Sequence, residues 1–234
     1  MLGHHRLWIG GVEHNDISVK NLMYDKHNEY RGILNDYDLA HLDGRPRPSG
    51  LGRTGTMPFM AIDMLTKEAW AGKITRLYRH DCKSFAWVLL WICCRYDGGK
   101  EIPNPPLGEF ITHDYNLCFL KKYCIIPKLK EIEPTPSYKG FWSAMFGLVK
   151  LFVAQRQGRD NSGVLGNRLD EPGIDEMVRQ VMKTLTGVPI LPGDVSRVDR
   201  SGQASCLQGT HRARHCRYVH ERRLWFVLSD SPLR

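Results

Sequence analysis

No stretch of this sequence is long and apolar enough to cross a bilayer as a helix. The longest apolar run, Phe85–Cys94, is ten residues, against the roughly 18 that a span requires. A buried core helix is therefore expected there, and no membrane partner. The opening MLGHHRLWIGG holds no apolar core of a signal peptide. No segment repeats, which sets aside solenoids and arrays. Cysteine is sparse and odd in number: seven residues, at positions 82, 93, 94, 118, 124, 206 and 216. Their irregular spacing and mostly apolar neighbours exclude a regular disulfide framework and predict reduced, buried thiols of an intracellular protein. The compartment within the cell, cytoplasmic or nuclear, is not written in the sequence.

Lysine is missing from residues 196–234, which hold eight Arg and three acids, Asp199, Glu221 and Asp230. Five of the eight net positive charges thus lie in that tail. The basic balance describes the tail more than the fold. Residues 191–234 are expected to form a disordered, Arg-rich tail, with no sustained period before Leu224–Leu228. Arg clusters bind phosphate, yet a nucleic-acid role resting on the tail alone ranks last. Cys206, His211, His215 and Cys216 fit no standard zinc spacing. The abrupt change of composition favours unselected sequence, such as a read-through intron or a shifted frame. The remainder, residues 1–190, suffices for one sizeable core.

What the chain does carry begins at His14-Asn15-Asp16-Ile17-Ser18-Val19-Lys20-Asn21 and continues at Gly32-Ile33-Leu34-Asn35-Asp36-Tyr37-Asp38. Phosphoryl transfer needs one carboxylate to receive or orient the proton of the attacking hydroxyl, and oxygen ligands to hold magnesium against the phosphates. Magnesium takes one or two carboxylates with other oxygen donors. On this reading Asp16 is the base, and Asn21 and Asp36 hold metal. A lone Asp before an apolar residue is usually a cap or a solvated charge. Order decides otherwise here.

Four motifs follow one another. His14–Asn21 and Asp36-Tyr37-Asp38 resemble the catalytic loop H-R-D-x-x-x-x-N and the D-F-G of protein kinases. Gly55-Thr56-Met57-Pro58-Phe59-Met60-Ala61-Ile62-Asp63 resembles the G-T-x-x-Y-M-A-P-E that closes an activation segment. Asp81-Cys82-Lys83-Ser84-Phe85-Ala86-Trp87-Val88-Leu89 resembles the D-x-x-S-F-x-W-V-L opening of the large central helix. Gly3-His4-His5-Arg6-Leu7 is similar to the helix leading into the loop. The details are most similar to the fungal-type protein kinase family.

The resemblance implies a protein kinase-like large C-terminal lobe, mainly α (α+β) with a small β-hairpin, without the N-terminal small lobe. It implies ATP and Mg2+ as cofactors, a protein Ser/Thr hydroxyl as acceptor, and Asp16 and Ser18 as catalytic-loop residues. Asn21 and Asp36 bind metal and nucleotide on this reading. His14, Thr56, Asp63 and Asp81 are structural or belong to the activation segment, Thr56 contacting Asp16. Ser18 stands where many kinases carry Lys, and Asn15 stands where an Arg often reads a phosphorylated segment, so gating by that route is lost.

Along the chain, residues 2–12 read as a helix end breaking at Gly10-Gly11. Leu22–Tyr24 and Gly32–Leu34 read as a hairpin that brings Asn21 and Asp36 together at its open end. Residues 41–56 read as the activation segment and Met60–Trp70 as a short helix. Asp81 reads as a cap before the first turn of the next helix. Helices are predicted around Tyr115–Tyr123 and over Tyr138–Ala154, with 155–169 as a polar linker. Pro172 opens a last helix in which Ile174, Met177, Val178, Val181, Met182 and Leu185 share one face.

Only 13 residues precede His14. A Gly-rich loop and a strand Lys, which complete the ATP cleft, are therefore expected to be absent, and the chain alone to be inactive. Two alternatives stand beside the kinase reading. One is a pseudokinase remnant acting as an interaction module for a partner protein. The other is a small-molecule kinase of the choline or aminoglycoside type, which Gly55–Asp63 and Asp81–Trp91 argue against.

Overall fold

The computed structural model describes residues 2–25, 28–44, 54–162, 174–186 and 216–218. The centre is α3, Tyr78–Arg95, all of whose residues are buried. That is the expected outcome for a helix apolar on every face. Around it pack α4 (Tyr115–Ile125), α5 (Lys139–Ser162) and α6 (Ile174–Thr186). Met177, Val178 and Val181 of α6 enter the same core as Met145, Leu148 and Phe152 of α5.

Strands are few and antiparallel. After α1 (Leu2–Ile9), the strand β1 (Val12–Glu13) pairs with β4 (His41–Leu42). Gly11, at φ +80°, sits where an added Cβ would lie 3.0 Å from that of Asp43. This is the close approach the Gly10-Gly11 break allows. The hairpin β2 (Leu22–Asp25) and β3 (Asn28–Leu34) runs in the register Leu22 to Leu34, Met23 to Ile33 and Tyr24 to Gly32. β5 (Cys216–Tyr218) pairs on the other side of β2. The mainly helical architecture with small antiparallel sheets agrees with the expectation.

Three local readings change. The Met60–Trp70 helix is two pieces: a 3-10 turn at Ile62–Leu65 and one α-turn, α2 (Lys67–Trp70), which the Thr66 hydroxyl starts by accepting from the Ala69 amide at 3.3 Å. α5 does not stop at Ala154 but continues to Ser162. Tertiary contacts hold what composition reads as linker: Gln155 donates to Gln180 of α6 at 3.2 Å, and Arg156 faces the rings of Phe119 and Tyr123.

α3 begins at Tyr78, with Leu77 as its N-cap. The cap is made by His80, whose Nδ1 accepts the Leu77 amide at 2.9 Å. Asp81 therefore lies inside the first turns and does not cap them. Cys82, Cys93, Cys94 and Cys118 are free and buried, as expected, whereas Cys124 is exposed. Among the described residues no helix is long and apolar enough to cross a membrane. Most of the 191–234 tail, with Cys206, His211 and His215, lies outside the described residues, as do 45–53 of the segment.

Candidate functional site

The loop is fixed from below by apolar side chains. Ile17, Val19 and Leu22 are buried in the core, which leaves alternate polar residues to bond one another. His14 is fully enclosed. Its Nε2–H donates to the Asn35 carbonyl at 3.0 Å and its Nδ1 accepts the Asp16 amide at 3.2 Å. Both bonds together require the neutral ring, and burial lowers the His14 pKa accordingly. The edge of Tyr37 meets the ring at 4.7 Å between centroids. His14 is thus a brace between the loop and residues 35–37.

Asp16 lies at the convergence. Its Oδ1 accepts both the amide and the hydroxyl of Thr56, each at 2.8 Å. Its Oδ2 accepts the Asn21 side-chain amide at 3.1 Å, which also donates to the Asp16 carbonyl at 2.9 Å. Both carboxylate oxygens are therefore oriented before any substrate arrives. Gly55, at φ +137°, is what lets the segment come this close: a Cβ there would stand 3.1 Å from the Asn15 carbonyl oxygen. Ser18 is buried, and its carbonyl accepts the Asn21 amide at 3.2 Å to open the 3-10 turn Val19–Asn21.

The hairpin brings Asn21 and Asp36 to one end. Leu22 faces Leu34, and the Asn35 amide donates to the Asn21 carbonyl at 2.8 Å. Asp36 is exposed and adopts a left-handed φ of +64°. The Asn21 side-chain nitrogen is spent on Asp16, which leaves its oxygen as a neutral acceptor, the donor type magnesium takes. Among the described residues no group of three or more His, Cys, Asp or Glu could hold a metal ion.

A second polar layer lies beneath. Asp81, completely buried, accepts from His4 Nε2 at 2.9 Å and from Arg76 Nη2 at 3.0 Å. Burial alone would raise its carboxyl, but the Arg76 guanidinium and His4 outweigh it and hold the carboxyl well below the usual range. Arg76 also donates to the carbonyls of Asn15, at 2.7 Å, and Thr54, at 2.9 Å. Asp63, at the end of the segment, pairs with Lys83 and lies 3.7 Å from Arg156 and 3.8 Å from His80.

Residues 1–93 match the family model of fungal protein kinases. The match spans the 14–21 loop, Asp36, Asp63 and most of α3. It supports a kinase-like function in general. No curated protein compared with the chain matches it.

Within the matched stretch, sequence reasoning missed Arg76, in a loop where nothing in the spacing marks it, and gave no role to His4, although the helix that carries it had been singled out. It also missed Lys122, from outside the stretch. That lysine is fully buried, donates to the Met60 carbonyl at 2.6 Å and lies over the Trp87 ring at 4.3 Å. Its only signal was its place as the second of two adjacent lysines, Lys121-Lys122, between apolar residues.

His14 and His80 give the fold a pH dependence with a definite sign. Burial lowers both, His80 well below its ordinary value. A histidine depressed in the folded state contributes full stability above the unfolded value near 6.5. That contribution is lost as the pH falls from there toward the folded value, by up to about 1.4 kcal/mol per pH unit for each ring. Urea titrations between about pH 7 and about pH 5 are expected to show a falling midpoint. A flat midpoint across that window contradicts the neutral assignment.

Proposed function

We propose that this chain carries the catalytic-loop half of a protein kinase-type phosphotransferase, which moves the ATP γ-phosphate to a protein Ser/Thr hydroxyl. The observation that supports this best is the Asp16 carboxylate, held at Oδ1 by Thr56 and at Oδ2 by Asn21. A carboxylate fixed at both oxygens is suited to orient an incoming hydroxyl and take its proton, the role phosphoryl transfer leaves to the protein.

Asn21 and Asp36 would hold magnesium, which when bound neutralises charge developing on the phosphates. Thr56 would exchange its hydrogen bond to Asp16 for a shared one when a substrate hydroxyl enters. Asp63, through Lys83, would keep the segment end on α3.

Positioning the phosphates depends on a Gly-rich loop and a strand Lys as well, which the elements between His14 and Asp63 do not supply. We therefore expect no magnesium-dependent transfer by the 234 residues alone. Radiolabel transfer from ATP to a Ser/Thr-containing protein tests this. Transfer by the chain alone that Asp16→Asn abolishes would show that the second half is dispensable.

A further inference from the structure

We propose that Arg76 is a positioning residue that locks the end of the 54–63 segment onto the catalytic loop without any phosphate. Arg76 precedes α3 and is 8% exposed. One guanidinium joins three separate parts of the chain. Nη1 donates to the Thr54 carbonyl at 2.9 Å, and Nη2 to the Asn15 carbonyl at 2.7 Å and the Asp81 carboxylate at 3.0 Å.

The planar fork makes this bridge possible, because its nitrogens are fixed at the separation that two neighbouring acceptors need. Asp81 orients the fork from within α3. The two carbonyls it grips flank the Gly55–Thr56 turn on one side and the Asn15–Asp16 bond on the other. Holding those carbonyls brings the Thr56 amide and hydroxyl to Asp16 Oδ1.

Two features make the lock permanent rather than switched. Its acceptors on the segment and the loop are backbone carbonyls, which no modification adds or removes. Position 15 also offers no competing cation. The Asn15 side chain is turned away, its amide donating to the Leu39 carbonyl at 3.2 Å from a residue at φ +70°. The segment end therefore needs no phosphate-reading arginine to reach its place. The bearing of this lock on phosphoryl transfer rests on the proposed role of Asp16, but the lock itself does not.

The test reads hydrogen exchange of the Thr56 amide, which needs neither nucleotide nor activity, in the full chain and in Arg76→Met and Arg76→Lys. The amides of Leu89 and Leu90 in α3 report global opening, and urea unfolding measures stability. In Arg76→Met the Thr56 amide should exchange roughly tenfold to a hundredfold faster than the change at Leu90 accounts for. Arg76→Lys, a point charge that reaches one acceptor at a time, should restore only part of the protection. Methylguanidinium added to Arg76→Met should slow the exchange again.

The proposal is overturned if Thr56 and Leu90 accelerate by the same factor. It is also overturned if Arg76→Lys matches the parent, or if phosphatase treatment of the parent chain removes Thr56 protection. Should Arg76→Met not fold, Arg76→Lys against the parent decides between partial and complete protection. Loss of protection at Thr56 in Arg76→Met upholds the lock whether or not Asp16 proves to be the catalytic carboxylate, so the two readings fail separately.

Discussion

Replacing Asp81 by Ala is expected to lower the stability of the fold by about 3–5 kcal/mol, read as the shift in urea unfolding. The carboxylate is completely enclosed and has His4 on one oxygen and Arg76 on the other. Its removal leaves the Arg76 guanidinium in the interior with only carbonyl dipoles to compensate its charge. Breaking one side of a buried pair costs far more than the pair itself contributes, because an uncompensated charge remains.

Against a total stability of roughly 5–15 kcal/mol for a domain, such a loss unfolds a measurable fraction at room temperature. Asp81→Asn keeps the shape and one acceptor and should cost less. A cycle with Arg76→Met separates pair from burial: with both groups removed, the combined loss should fall short of the sum of the single losses. A sum that adds fully would mean that Asp81 and Arg76 do not act as a pair.

The second large effect has the opposite sign. Lys122→Met is expected to stabilise the protein near pH 6 and to lose that advantage as the pH rises. Burial depresses the Lys122 amine from 10.5 to about 7. At a pH below 7 the folded state carries the ammonium in an apolar site between Trp87 and Phe110. A depression of that size bounds the cost at about 5 kcal/mol. The Met60 hydrogen bond and the Trp87 ring offset some of it. The net gain for Lys122→Met is roughly 1–4 kcal/mol.

The sign follows from the depressed folded value. The unfavourable contribution is complete below about 7 and fades between there and 10.5, where the unfolded lysine titrates. Buried thiols complicate the absolute pH profile, Cys94 being pushed up to about 12 by burial. The difference between parent and variant cancels them. A difference that stays constant across this range would mean that Lys122 keeps its ordinary ionisation in the fold.

How far the sequence spoke depends on the range of the interaction. Local signals were read correctly. The Leu22–Tyr24 and Gly32–Leu34 runs pair as the hairpin, although its return strand begins at Asn28 inside the expected turn of Asp25–Arg31, and the period of Ile174–Leu185 formed α6. The apolar run Phe85–Cys94 became the buried centre. Readings that depended on distant partners went astray. Residues 155–162 look like a linker until α6 and the ring pair Phe119 and Tyr123 stand opposite. Asp81 looks like a cap until His4, 77 residues earlier, and Arg76 meet its oxygens.

The site shows the same division. Asp16, Asn21 and Thr56 converge, and the family motifs had already put them in order. Arg76 belongs to no motif, because a loop arginine that grips carbonyls leaves no periodicity and no spacing rule behind.

The most direct measurement on the site is magnesium-dependent transfer of the ATP γ-phosphate by this chain joined, ahead of Met1, to the Gly-rich-loop lobe of a fungal protein kinase. Its Asp16→Asn variant is measured alongside. If Asp16 is the catalytic carboxylate, the joined protein transfers phosphate to Ser/Thr and the variant is slower by about 10²–10⁴-fold. A joined protein that folds and binds ATP yet transfers nothing, or one that Asp16→Asn leaves unimpaired, contradicts the assignment.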